Sequence, residues 1–80
     1  MTTTTEERRS QQFERILRHA TQLKEKGHLT MEELQATADC HRRTIYRDMH
    51  LLVRMGMAKA QWTATRISWK PNPKHSLMAN

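Results

Sequence analysis

The 80-residue sequence predicts one mainly α-helical domain with a small β-hairpin after its helices. Three observations carry that expectation. Apolar residues recur at steps of three and four over most of residues 6–55, the period of a helix buried along one face. After Gly56 the period becomes two, the alternation of a strand. Two glycines and two prolines leave few breakers between these segments.

The first helix is expected over 6–26. Thr4 followed by Glu7 has the spacing of a capping box. Phe13, Ile16, Leu17, Ala20 and Leu23 form the inward face, with Glu14 and Arg18 one turn apart on the wet side. Gly27 supplies a left-handed stop. Leu29 reads as a lone apolar residue in a short extended link. Thr30 and Glu33 repeat the capping-box spacing, and a second helix follows over 31–38 with Met31, Leu34 and Ala38 inward. At barely two turns it cannot stand alone and must pack on something.

The third helix, about 41–55, has its stop at Gly56. Ile45, Met49 and Leu52 form its buried seam, with Asp48 at the edge. Arg43, Tyr46, Arg47, His50 and Arg54 fall within an arc from about 100° to about 200° away from Ile45. No acid lies in that arc, whereas a merely solvated face mixes signs. Beyond Gly56, residues 57–70 read as a hairpin of two short strands, linked through about 63–65 without the Asn-Gly or Asp-Gly turn signal. Alternation places Ile67 and Trp69 on one face, and Trp62 and Trp69 read as caps over the helical core. Pro71 and Pro73 end the hairpin. The organisation expected is a polar lead at 1–5, a domain at 6–70 and a loose tail at 71–80.

Net charge is +6, and its distribution is uneven. Residues 1–41 hold six Lys/Arg against seven Asp/Glu. Residues 42–80 hold eight against one, Asp48. A clustered positive field suits a polyanion such as nucleic acid, although a plain solubility surface has the same sign. One cysteine, Cys40, rules out an internal disulfide and points to a reducing, cytoplasmic setting. No apolar run reaches the ~20 residues of a membrane span, and residues 1–10 lack the apolar core of a signal peptide. Cys40, His41 and His50 do not have zinc-ligand spacing. Adjacent Cys40 and His41 point about 100° apart on a helix, a poor nucleophile–base pair. No cofactor, metal or catalytic residue is expected, and Cys40 reads as a small buried residue in the turn.

Three helices, the second short and the third cationic, followed by a hairpin, make the order of a winged helix-turn-helix. The segment LQATADCHRRTIYRDMHLLVRMGM resembles the helix-turn-helix of DeoR-type bacterial regulators and related small bacterial and phage regulators, with the likeness covering about residues 13 to 70. Their pattern reads roughly L-A-x-x-L-G-V-S-x-R-T-I-x-R-D-L-x-x-L-x-x-x-G. Leu34, Arg43-Thr44-Ile45, Arg47-Asp48, Leu52 and Gly56 match it, with Cys40 for valine and Met49 for leucine. Asp39 stands where glycine is usual and His41 where a serine N-cap is usual. Either Asp39 takes over the cap and the helix starts early, or the first turn frays.

The resemblance implies double-stranded DNA as partner, with the third helix in the major groove and the hairpin on the backbone. Arg43 and Arg47, one turn apart, are the expected base-edge readers, because a guanidinium can grip guanine through two parallel bonds. Tyr46 joins them, against an equal reading in which it packs on the hairpin. Arg47 has a competing reading as an internal ion pair with Asp48. Arg42, His50, Lys59, Arg66 and Lys70 are the expected phosphate contacts, which fix position without reading sequence. The implied role is a non-enzymatic transcriptional regulator such as a repressor, acting at the nucleoid, with a homodimer as the usual remedy for a short footprint and no small-molecule effector expected. The alternatives are a phage-encoded winged helix gripping an acidic host protein and an excisionase-like architectural DNA binder.

Overall fold

A computed structural model describes residues 5–38 and 40–79, with side chains from residue 9 onward. The elements are α1 (Thr5–Lys26), β1 (Leu29–Thr30), α2 (Met31–Thr37), α3 (Arg42–Arg54), β2 (Ala58–Trp62) and β3 (Ile67–Pro71). The strands form an antiparallel sheet in the order β1-β3-β2. Three helices backed by this small sheet make the architecture a winged helix-turn-helix, as the sequence predicts.

Local chemistry sets the element ends. At α2, the Thr30 hydroxyl accepts from the Glu33 backbone N–H at 3.1 Å, and Glu33 Oε1 accepts from the Thr30 N–H at 3.2 Å. These bonds satisfy two donors that a helix start otherwise leaves open. Lys26 Nζ lies 2.8 Å from Glu33 Oε2, and this bond, ahead of the one from the Thr30 backbone, holds the Glu33 carboxyl below its usual range. Both long helices end on a left-handed glycine, Gly27 at φ 75° and Gly56 at φ 77°. At Gly56 the stop is a paired one. Gly56 N–H donates to the Val53 carbonyl and Met57 N–H to the Leu52 carbonyl, both at 3.0 Å, so the last turn of α3 is closed before β2 begins. The Thr4–Glu7 cap expected for α1 lies outside the described residues.

The core is built from all six elements. Ile16, Ala20 and Leu23 of α1 meet Met31 and Leu34 of α2, Ile45, Met49 and Leu52 of α3, and Leu29, Ala58, Ile67 and Trp69 of the sheet. Four sequence expectations are corrected here. Leu29 is not a lone link residue but a strand partner, opposite Trp69; a two-residue strand is too short to show a period. Phe13 and Leu17 are exposed (63% and 48%), because the core-facing arc of α1 runs through Ile16, Ala20 and Leu23 and turns His19 inward instead. Trp62 is exposed, because at the end of β2 its ring meets the exposed Tyr46 rather than the core. Residues 71–79 do not form a loose tail: Pro71 pairs with Ala58, the Asn72 side chain donates to the Gly56 carbonyl at 2.8 Å, and Met78 is buried.

α1 is fastened to α3 by charge as well as by apolar contact. Asp48 is 1% exposed, and Arg15 binds it side-on, Nε to Oδ2 and Nη2 to Oδ1, the latter at 3.0 Å. His19, also buried, brings Nε2 to 3.3 Å from Oδ2, outside hydrogen-bond alignment, and its Nδ1 has no partner among the described residues. Burial pushes the Asp48 carboxyl up, but the contacts from His19 and Arg15 outweigh it and hold the group below the usual range. The Asp48 bond raises the Arg15 guanidinium in turn.

Removing one member of a buried pair leaves the other charge stranded. Asp48→Asn is expected to destabilise the fold by about 3 kcal/mol at neutral pH, the low end for buried pairs, since Arg15 can still reach water. The wild-type contribution of a depressed carboxyl is complete above its unfolded value, about 3.9, and is lost as pH falls through its lower folded value. Denaturant unfolding below about pH 4 should therefore show a steep loss in the wild type and a shallower one in Asp48→Asn.

Candidate nucleic-acid interface

α2, the connection over 38–41 and α3 form the helix-turn-helix. Ala38 closes α2 with an N–H bond to the Leu34 carbonyl at 2.9 Å. His41 is the N-cap of α3 and makes no side-chain capping bond, as its chemistry predicts. Its backbone carbonyl instead accepts from Thr44 and Ile45 at 2.9 and 3.1 Å, so α3 starts at Arg42 and not earlier. Asp39, the other expected cap, is outside the described residues. Cys40 is half-buried against the core.

The inward side of α3 is Ile45, Asp48, Met49 and Leu52, as the seam predicts. The outward side carries Arg43, Arg47, His50 and Arg54, all exposed. Their spacing of four, three and four residues draws a single cationic stripe about 16 Å long. Arg47 does not pair with Asp48, which belongs to Arg15. Among the described residues none of the four has an ion-pair partner. Arg42 is exposed on the flank of α3 that leads toward the buried seam.

Tyr46 stands between the stripe and the wing. Its ring centroid is 6.2 Å from that of Trp62 at 48° and 6.4 Å from that of Trp69, edge-on at 76°. It thus packs on the hairpin, as one sequence reading has it, while remaining 40% exposed. The wing is closed by Thr63 rather than by an Asn-Gly turn. Thr63 N–H donates to the Arg66 carbonyl at 2.8 Å, and the Thr63 hydroxyl accepts from the Arg66 N–H at 3.2 Å. A hydroxyl folding back on its own turn replaces the glycine signal. Arg66 is therefore held at the wing tip.

The register separates the remaining cations. Lys59 lies directly opposite Lys70, and Gln61 opposite Ser68. These four share one face of the hairpin, while Ala60, Trp62, Ile67 and Trp69 share the other, which meets the helices. Lys59 and Lys70 thus lie on the outer face, away from the α3 stripe. Arg42, Arg43, Tyr46, Arg47, His50 and Arg66 lie on α3 or the wing tip. Trp62, read from sequence as core, is exposed and stands beside Tyr46 of this group. Strand alternation gives its face correctly, but at the end of β2 it meets the exposed Tyr46 ring rather than the buried core.

Residues 15–70 match the family model described as an HTH domain. The chain belongs to the HTH domain family. No curated protein and no solved structure matches it. The match spans α2, α3 and nearly the whole wing, so this HTH domain carries the helix-turn-helix as a DNA-binding unit with α3 as its second helix. No described helix is long and apolar enough to cross a membrane. Among the described residues no group of three or more His, Cys, Asp or Glu could hold a metal ion.

The stripe should be separable from the fold. Arg43→Ala and Arg47→Ala are expected to stay within about 0.5 kcal/mol of wild-type stability, as surface changes do. Arg15→Ala should lower the melting temperature clearly, a contrast that thermal unfolding followed by circular dichroism will show.

Proposed function

We propose that this protein is a sequence-specific double-stranded DNA-binding regulator of the DeoR-like kind, without enzymatic activity. The observation that supports this best is the exposed, acid-free stripe of Arg43, Arg47, His50 and Arg54 on the second helix of a helix-turn-helix. The major groove, about 12 Å wide, admits such a helix. Arg43 and Arg47 read base edges, with Tyr46 beside them at the groove wall. Arg42, His50 and Arg66 grip phosphates, and Lys59 and Lys70 add to the field from the outer face of the wing. A role as repressor in a bacterium or phage follows the resemblance of the T-I-x-R-D core.

The test is selection of bound duplexes from a random pool, followed by titration of the winner. Arg43→Ala should cost about 1–3 kcal/mol on the selected site and relax preference at one base pair. If about six phosphates are neutralised, the log–log salt slope should be about −5. Failure to retain any duplex at low salt, with one host protein captured instead, would overturn the reading in favour of a protein-binding winged helix.

We also propose a homodimer formed through α1. Phe13 and Leu17 stand one turn apart, exposed at the edge of the core-facing arc of α1, and exposed Leu77 lines a groove with Leu17, Thr21 and Met57. Two copies would bury these side chains and double a short footprint. Leu17→Glu should convert a dimer to a monomer in light scattering and weaken binding to a two-fold site far more than to a half-site.

A further inference from the structure

Trp62 is 65% exposed although it lies on the hairpin face that meets the helices. Ile67, directly opposite, and Trp69, two residues farther along β3, are buried. A large indole is thus left exposed on the face that buries Ile67 and Trp69. It is not alone there. Tyr46 leans on it at 6.2 Å, and the two rings with His50, Val53 and Ile67 line a shallow pocket of about 220 Å³ between α3 and the wing.

The surroundings of this pocket favour one occupant. His50 lines it on the α3 side, Arg43 and Arg47 belong to the exposed stripe that His50 shares, and Arg66 sits at the turn beyond Trp62. An aromatic floor between two sets of cations matches a nucleic-acid strand, whose sugars present apolar C–H edges between phosphates. Bases within a duplex are stacked and paired, so the ring offered at a groove wall is the deoxyribose. We propose that Tyr46 and Trp62 seat a deoxyribose of the strand bordering the groove that α3 enters. This rests on the duplex-binding reading above. It adds that Trp62 holds the backbone by van der Waals contact, so that part of the affinity is independent of salt. The same contact sets how far the wing stands from α3.

The experiment is a salt titration of duplex binding by the wild type, Trp62→Ala, Trp62→Phe and Arg66→Ala, with circular dichroism to confirm folding. Trp62→Ala should bind about tenfold more weakly at every salt concentration with the slope unchanged, the scale of burying an aromatic ring against an apolar surface. Trp62→Phe should recover most of the loss. Arg66→Ala should instead make the slope shallower by about one. Independently of any variant, adding duplex to the wild type should protect indole emission from acrylamide quenching, since Trp69 is already buried. Wild-type affinity in Trp62→Ala, or unprotected emission on a bound duplex, overturns the sugar seat alone. A change of slope in Trp62→Ala also overturns it, because the indole would then act by placing Arg66. Tighter binding to single strands than to duplex overturns it in favour of a base. Failure of the wild type to bind any duplex overturns the seat together with the reading beneath it.

Discussion

α3 can present a uniformly cationic face only because its one carboxylate is turned inward and neutralised from another helix. Asp48 is the sole acid in residues 42–80, and Arg15 of α1 holds it side-on within the core. Had Asp48 pointed outward, it would have offset Arg47, its neighbour in the chain. Had it pointed inward without Arg15, the cost of a buried charge would have fallen on a small core. The pair resolves both conflicts with residues 33 positions apart in the chain.

Such a pair is not an efficient source of stability. A well-packed apolar substitute of similar volume is often as good or better. What the ion pair adds is geometry. Two N–H groups on two carboxylate oxygens fix both the distance and the rotation of α1 against α3. That rotation decides which arc of α3 is buried, and so which residues are left facing out. Gly56 acts at the other end of the helix. Its paired stop turns the chain into β2 within two residues, and Asn72 then ties the segment after β3 back to the Gly56 carbonyl. Helix, wing and following segment are thereby held to one another at a single backbone corner.

Much of this was legible from sequence because it is local. The capping box at Thr30, the stops at Gly27 and Gly56, the seam of Ile45, Met49 and Leu52 and the strand alternation of Ile67 and Trp69 are all set within a few residues. What was not legible depends on contacts distant in the chain. His19 reads as polar surface until Asp48 is known to face it. Leu29 reads as a link until β3 is placed beside it. Met78 reads as tail until the groove beside α1 is seen. Phe13 and Leu17 show the limit of periodicity itself, since a helix with apolar residues on a wide arc does not say which edge the core will take. On the candidate interface, charge pattern indicated the stripe on α3, but only the register separated Lys59 and Lys70 from Arg66.

The aromatic bridge has a mechanical consequence. Tyr46 belongs to α3, Trp62 and Trp69 to the wing, and their rings touch. The span between helix and ribbon is therefore set by one tilted and one edge-on ring contact rather than by a loop alone. On the duplex-binding reading proposed above, such a gauge would act as a caliper, favouring stretches whose groove edges already match its jaws and discriminating by ease of deformation at positions it never touches.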